Sequence, residues 1–109
     1  FVDDLADACI FIFENLNASA LYDDYNISHI NIGCGEDISI GDLANKIAEI
    51  VGFNGKIKFN ISKPDGTPRK LLDISRLNSM GWAPKVSLDK GIEMTYDFFI
   101  NEHAQVSYE

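Results

Sequence analysis

Three basic residues stand within eight positions of a chain whose formal net charge is -8. Lys63, Arg69 and Lys70 flank a Pro-Asp-Gly stretch that is typical of a turn, because proline fixes its φ angle and glycine takes a positive φ. Arginine can bind a phosphate through two hydrogen bonds, and lysine supplies a point charge. This basic segment (residues 63–70) therefore predicts an anion site. The alternative interpretation is a solvated loop whose basic side chains bind nothing.

A second candidate is the Gly-Cys-Gly run at 33–35, which falls between a predicted strand and a predicted helix. The glycine-rich loop of a dinucleotide-binding site would lie at such a position, but its third glycine would fall at Ile38. Glu36 and Asp37 also place two negative charges where a pyrophosphate would have to lie. The sequence therefore favours a tight turn over a cofactor site at this run.

His29 and Cys34 are the residues that could act as an acid/base or nucleophilic pair. They lie five residues apart across a strand end, and the sequence supplies no third group to orient them. Two cysteines and two histidines also lack the spacing of a zinc site. We therefore assign no catalytic, cofactor-binding or metal-binding residue to this chain.

The elements that must position the basic segment follow from the apolar periodicity. The pattern predicts an α/β fold with three main helices at about 4–16, 39–51 and 87–100, and a short helix at 75–80. It predicts short strands at 29–32 and 56–61, an extended piece at 71–74 and a surface loop at 17–28. The basic segment would then begin soon after the second strand.

Helix boundaries and faces can be assigned from individual residues. Ser39 with Asp42 is typical of a capping box, Gly52 ends that helix, and Ser75 is expected to cap the short helix. The first helix has one predicted apolar face, formed by Leu5, Ala8, Cys9, Ile12, Phe13 and Leu16.

Composition excludes several classes of function. Residues 1–54 carry ten acidic residues and one basic residue, whereas residues 55–109 carry seven and eight. Nucleic acid and anionic membrane surfaces both require a clustered basic face, so neither is an expected partner. The longest apolar run, at 8–13, is too short to span a bilayer. Two cysteines do not form a disulfide framework, which favours a reducing, cytoplasmic setting.

Three runs of sequence resemble one known family. They are Val-Asp-Asp-Leu-Ala-Asp-Ala at 2–8, His-Ile-Asn-Ile-Gly-Cys-Gly-Glu-Asp at 29–37, and Lys-Pro-Asp-Gly-Thr-Pro-Arg-Lys-Leu-Leu-Asp at 63–73. Together they are similar to the C-terminal part of the GDP-L-fucose synthase family. The first two runs are shared across the extended short-chain dehydrogenase/reductases that act on nucleotide sugars, and the third is the specific one. The resemblance extends over about 2–101.

This resemblance implies a fold and a division of labour. The chain would be the C-terminal substrate-binding portion of an NAD(P)-binding Rossmann-like extended short-chain dehydrogenase/reductase. Residues 1–101 would form this portion, and residues 102–109 would be a tail. The Rossmann domain, the catalytic groups and the NADPH site would lie outside this chain. Members of the family reduce and epimerise GDP-4-keto-6-deoxy-mannose to GDP-L-fucose.

The resemblance also implies roles for three residues of the basic segment. Lys70 is expected to approach the diphosphate of a GDP-sugar. Asp65 and Arg69 match the same segment and are candidates for ribose, base or phosphate contact.

The sequence leaves two alternative functions open and also predicts how the isolated chain associates. The chain could belong to another nucleotide-sugar epimerase or dehydratase, or it could be a free-standing acidic interaction module. We also expect a homo-oligomer for the isolated chain, because the edge of strand 29–32 and the apolar side of the first helix would be exposed.

Overall fold

A computed structural model describes residues 1–103, without the side chains of Asp24, Tyr25 and His103. Within this range the helices are α1 (Val2–Asn15), α2 (Ala18–Tyr25), α3 (Ile40–Ile50), α4 (Ser75–Ser79) and α5 (Leu88–His103). The chain divides into unit 1 (Phe1–Asp37 and Arg69–Lys85) and unit 2 (Ile38–Pro68 and Val86–Glu109). The basic segment crosses from unit 2 into unit 1 between Pro68 and Arg69.

Unit 1 is built around a small core formed by side chains from α1, from α4 and from the segment after α4. Ala8 and Leu77 are fully buried, and Trp82 is almost so. Around them pack the partly buried apolar side chains Phe11, Ile12, Ile30 and Ile32.

The buried face of α1 is rotated from the predicted one. Ala8 and Ile12 pack inward as expected, but Leu5 and Phe13 are 51% and 89% exposed. The reason is polar: Asp4 is buried and accepts a hydrogen bond from the backbone N–H of Lys85 at 3.2 Å. That contact selects the side of the helix that carries Asp4 and Ala8, which apolar periodicity alone did not distinguish.

The predicted surface loop at 17–28 is wrong for most of its length, because α2 forms there. Asn17 caps the helix by accepting hydrogen bonds from the backbone N–H and the hydroxyl of Ser19. Asn26 closes it in the left-handed conformation with φ 51°, which asparagine tolerates better than most residues. Leu21 is buried in this helix.

The predicted short strands are also wrong: residues 1–103 contain no strand. In unit 1 the segment 30–33 lies beside 72–74, yet the hydrogen bond between them comes from the side chain of Asn31, whose Nδ2 donates to the carbonyl of Asp73 at 3.1 Å. A strand needs a backbone ladder with a neighbour. The alternation of apolar and polar residues identified extended segments, but it carries no information about whether a neighbouring strand is present.

The short helix α4 begins as predicted at Ser75, but its cap is different. The carboxylate of Asp73 accepts a hydrogen bond from the backbone N–H of Ser75 at 2.9 Å, and this lowers the pKa of Asp73. Gly81 follows the helix with φ +97°, as expected for a residue that ends a helix.

Unit 2 consists mainly of α3 packed against α5. The predicted cap of α3 is confirmed: Ser39 Oγ accepts from the Asp42 backbone N–H at 3.0 Å and donates to the Asp42 carboxylate at 2.6 Å. Lys46 on α3 forms an ion pair of 2.6 Å with Asp89 on α5. Helix α5 continues to His103, and residues 104–109 of the predicted tail lie outside the described residues.

Candidate functional site

The basic segment is exposed throughout, and its turn lies earlier than predicted. Asn60 accepts hydrogen bonds from the backbone N–H and hydroxyl of Ser62, and its carbonyl accepts from the backbone N–H of Lys63 at 3.3 Å. Residues 64–67 form no turn and Gly66 does not have a positive φ, so the expected Pro-Asp-Gly turn is wrong. The turn is therefore made by an asparagine side chain that precedes the segment.

Arg69 is held by a carboxylate from a distant part of the sequence. Its Nε donates to Oδ2 of Asp37 at 2.5 Å, and its Nη2 donates to Oδ1 at 3.4 Å. The two residues are 32 positions apart, and both belong to unit 1. The hydrogen bonds to Asp37 raise the pKa of Arg69. The predicted phosphate ligand is thus already engaged by an acidic partner.

The other two predicted site residues have no such restraint. Lys70 is exposed and makes no hydrogen bond or ion pair with the part of the chain that the structure describes. Asp65 is likewise exposed and without a partner there, and it belongs to unit 2. The structure therefore presents Lys70 directly after the restrained Arg69 in unit 1.

The Gly-Cys-Gly run is a packed turn, as the sequence analysis favoured. Gly35 has φ +78°, and a Cβ there would lie 2.7 Å from Cδ1 of Ile74. Cys34 donates a weak hydrogen bond from Sγ to the Glu36 carbonyl at 3.4 Å. The glycines serve the close approach of this turn to Ile74, a role that requires no ligand.

Asp37 is the residue that sequence reasoning missed. Its charge was counted only as an obstacle to a pyrophosphate at the neighbouring glycines. In the structure the guanidinium of Arg69 neutralises that charge, and the carboxylate orients the basic segment where it enters unit 1. Pairing across 32 residues leaves no signal in a single sequence, although opposite charges in two of the family-like runs were visible.

A few other chemical possibilities can be addressed for residues 1–103. No group of three or more possible metal ligands is found among them. Cys9 and Cys34 are free and exposed thiols. None of the helices described is long and apolar enough to cross a membrane.

Comparison with known proteins shows which family this chain belongs to. The chain is 48% identical over 99 residues to GDP-L-fucose synthase 1 of Arabidopsis thaliana, covering 91% of this chain. It is 46% identical over 100 residues to GDP-L-fucose synthase of Escherichia coli K12, again covering 91% of this chain. The chain belongs to the GDP-L-fucose synthase family. No protein-family model matches it.

Solved structures agree with the assignment to the GDP-L-fucose synthase family. A GDP-6-OMe-4-keto-L-xylo-heptose reductase from C. jejuni superposes with a TM-score of 0.85 at 41% identity, covering 93% of this chain and 30% of that one. A GDP-mannoheptose C4 reductase from Campylobacter jejuni, solved with NADP bound, gives a TM-score of 0.73 at 41% identity, over 89% and 29% of the two chains. The fold is therefore that of part of a GDP-sugar reductase.

The chain spans less than a third of the length of the family members that it matches. The shares are 28% of the Arabidopsis protein and 31% of the Escherichia coli protein. What the matched region contributes to a nucleotide-sugar enzyme must accordingly be argued from its own residues.

Proposed function

We propose that this chain is the nucleotide-sugar-binding portion of a GDP-L-fucose synthase, an NADPH-dependent enzyme that makes GDP-L-fucose from GDP-4-keto-6-deoxy-mannose. In this proposal Lys70 contacts the diphosphate, Arg69 assists it, and Asp65 supports ribose or base contact. Catalytic groups and the NADPH site belong to the rest of the protein, so the chain is inactive alone. A reducing, cytoplasmic setting is part of the proposal, because Cys9 and Cys34 are free thiols.

The observation that carries the proposal is the state of Lys70. Some lysines of this chain, such as Lys46 and Lys85, are paired with carboxylates, whereas others, such as Lys56, have no partner in residues 1–103. Lys70 is one of the exposed lysines without a partner in residues 1–103, and it is distinguished by directly following Arg69, which is held by a carboxylate. It lies in a run that resembles the specific part of the family sequence. A free cation at that position is available to a diphosphate.

The test is calorimetric titration of the complete protein with GDP and with UDP. We expect GDP to bind more tightly than UDP. Lys70→Ala should weaken GDP binding about tenfold or more, because a hydrogen bond to a charged group contributes about 1.5–3 kcal/mol. Lys56→Ala is the matched control, since Lys56 is another exposed lysine without a partner in the described part of the chain. Equal affinities for Lys70→Ala and the unaltered protein would exclude the role of Lys70.

A second candidate is a GDP-sugar reductase that acts on a different sugar. The structures that superpose on this chain include GDP-heptose reductases, whose sugars differ from that of GDP-L-fucose. Diphosphate binding would be unchanged in that case, so turnover of the two sugar classes separates the candidates. A preference for UDP would point to another epimerase or dehydratase, and no binding of either nucleotide would favour an interaction module.

Self-association of the isolated chain is also part of the proposal. Val2, Leu5 and Phe13 leave an apolar side of α1 exposed by 68%, 51% and 89%. Such a surface favours association in water. Sedimentation velocity should show a species larger than a monomer, and Phe13→Asp should shift it toward the monomer. A monomer at all concentrations would contradict this part.

A further inference from the structure

We propose that Asp37 is a positioning residue that holds the guanidinium of Arg69 with one edge open to the diphosphate of the nucleotide. This rests on the proposed function, because it needs the ligand to approach Arg69 and Lys70. It assigns a role to an acidic residue that neither touches the substrate nor takes part in the chemistry.

The hydrogen-bond count of the guanidinium supports this arrangement. A guanidinium has five N–H donors in a planar fork. Asp37 accepts from Nε at 2.5 Å and from Nη2 at 3.4 Å, so it occupies the side edge of the fork. Both N–H groups of Nη1 and the second one of Nη2 have no partner in residues 1–103. The end edge is therefore free for two parallel hydrogen bonds to phosphate oxygens.

Exposure is consistent with a site that a ligand can reach. The side chain of Arg69 is 68% exposed, while that of Asp37 is 41% exposed. The carboxylate is thus the more enclosed partner, and the guanidinium extends from it toward solvent. An arginine held in this way loses less conformational freedom on binding than one that moves freely.

A positioning role and a purely electrostatic role for Asp37 predict opposite effects of its substitution on the affinity for GDP. If Asp37 acted only through its field, removing its negative charge would strengthen the binding of an anion. If it competed with phosphate for the same edge of Arg69, removal would also strengthen binding. A positioning role predicts the opposite, because Arg69 without Asp37 must be ordered by the ligand.

The experiment measures GDP binding by calorimetry in the complete protein. Asp37→Asn should weaken binding about two- to fivefold, which corresponds to the upper range for an exposed ion pair. Asp37→Glu should recover part of the loss, because it keeps the carboxylate. Glu36→Gln removes the same charge one residue away and should leave binding unchanged or slightly tighter, because no hydrogen bond to Arg69 comes from that side chain.

A double-mutant cycle separates positioning from general destabilisation. In an Arg69→Ala background, Asp37→Asn should cause no further loss of GDP affinity, since the residue through which it acts is gone. A loss that persists in this background would indicate a merely structural role and overturn the inference. Arg69→Lys gives a second measurement: it should weaken GDP binding and abolish the dependence on Asp37, because lysine lacks the two-edged fork.

The remaining outcomes distinguish this inference from the proposed function. If the unaltered protein binds GDP and Lys70→Ala weakens it, but Asp37→Asn binds as tightly or more tightly, the positioning role alone is wrong. If the unaltered protein binds no GDP, the proposed function fails and the inference fails with it.

Discussion

The indole Nε1–H of Trp82 donates a hydrogen bond of 2.9 Å to Oδ2 of Asp7, a residue 75 positions earlier in the chain. Lys85 Nζ lies 3.2 Å from both oxygens of the same carboxylate. The buried indole is thus satisfied, which is the usual requirement for a tryptophan in a core. One carboxylate on α1 fixes both ends of the segment 82–85.

Because of this hydrogen bond, the stability of unit 1 should fall at acid pH. The hydrogen bond from Trp82, aided by Lys85, lowers the pKa of Asp7 in the folded state. A carboxylate with a depressed folded pKa stabilises the fold above its unfolded pKa of about 3.9 and loses that contribution as pH falls through the folded value. Denaturation by urea, followed by the fluorescence of the single tryptophan, should show stability falling below about pH 4.

Asp7→Asn is the control for the acid dependence. Asparagine keeps an oxygen that can accept from Trp82 but does not titrate. The loss of stability below pH 4 should be smaller in this variant, although Asp73, whose pKa is also lowered, should leave a remaining slope. Identical pH profiles for the two proteins would show that Asp7 is not responsible.

Leu77 is the largest fully buried side chain of the described core, and its truncation should have a large effect. Leu77→Ala is expected to reduce the free energy of unfolding by about 2–5 kcal/mol, since it removes buried methyl groups and leaves a cavity. Leu71→Ala is the matched control, because Leu71 is 41% exposed, and its effect should be much smaller. Similar losses in urea denaturation would contradict the assignment of the core.

Gly35 should not tolerate a side chain. Alanine there would meet Ile74 and also require a φ of +78°, which side-chain-bearing residues rarely adopt. Gly35→Ala should reduce the free energy of unfolding by about 1 kcal/mol or more, and the unfolding midpoint should fall accordingly. Gly66→Ala is a control with open space and no positive φ, and thermal unfolding should find it close to the unaltered protein.

The cap of α3 predicts a measurable loss of helix stability in unit 2. Ser39→Ala removes the oxygen that accepts from the Asp42 backbone N–H at 3.0 Å. The expected cost is about 0.5–2 kcal/mol, and Ser39→Thr should restore much of it because threonine is also a capping residue. Denaturation followed by far-UV circular dichroism, which reports the total helix content, measures this loss of stability. Equal stability of Ser39→Ala and Ser39→Thr would argue against the cap.

The sequence predicted elements where the information is local. Ser39 and Asp42 marked the start of α3, and Gly52 marked its end, because caps and positive φ angles depend on residues a few positions apart. The helix α2 was missed because the polar, irregular sequence of 17–28 suggested a loop, although Asn17 and Asn26 are capping residues at its two ends. The polar side chains of this stretch indicated a loop, and the capping asparagines at its ends were overlooked.

The non-local features could not be predicted in the same way. The buried face of α1 depends on the contact of Asp4 with Lys85, 81 positions away. The state of Arg69 depends on Asp37, and strand formation at 29–32 depends on a partner that residues 1–103 do not provide. The basic charges of the segment identified Arg69 and Lys70 as candidates, and the family resemblance added Asp65. Neither could foresee that Arg69 would be restrained and Lys70 would remain unpaired.

The discontinuity of unit 1 affects how the chain folds during synthesis. Helix α1 is made before Leu77 and Trp82, against which Ala8 packs, and the first segment of unit 2 lies between them in the chain. Closing such a long loop carries an entropic penalty and slows folding. Unit 1 can therefore be completed only once Leu77 and Trp82 have been made, and until then Ala8 lacks the side chains that bury it.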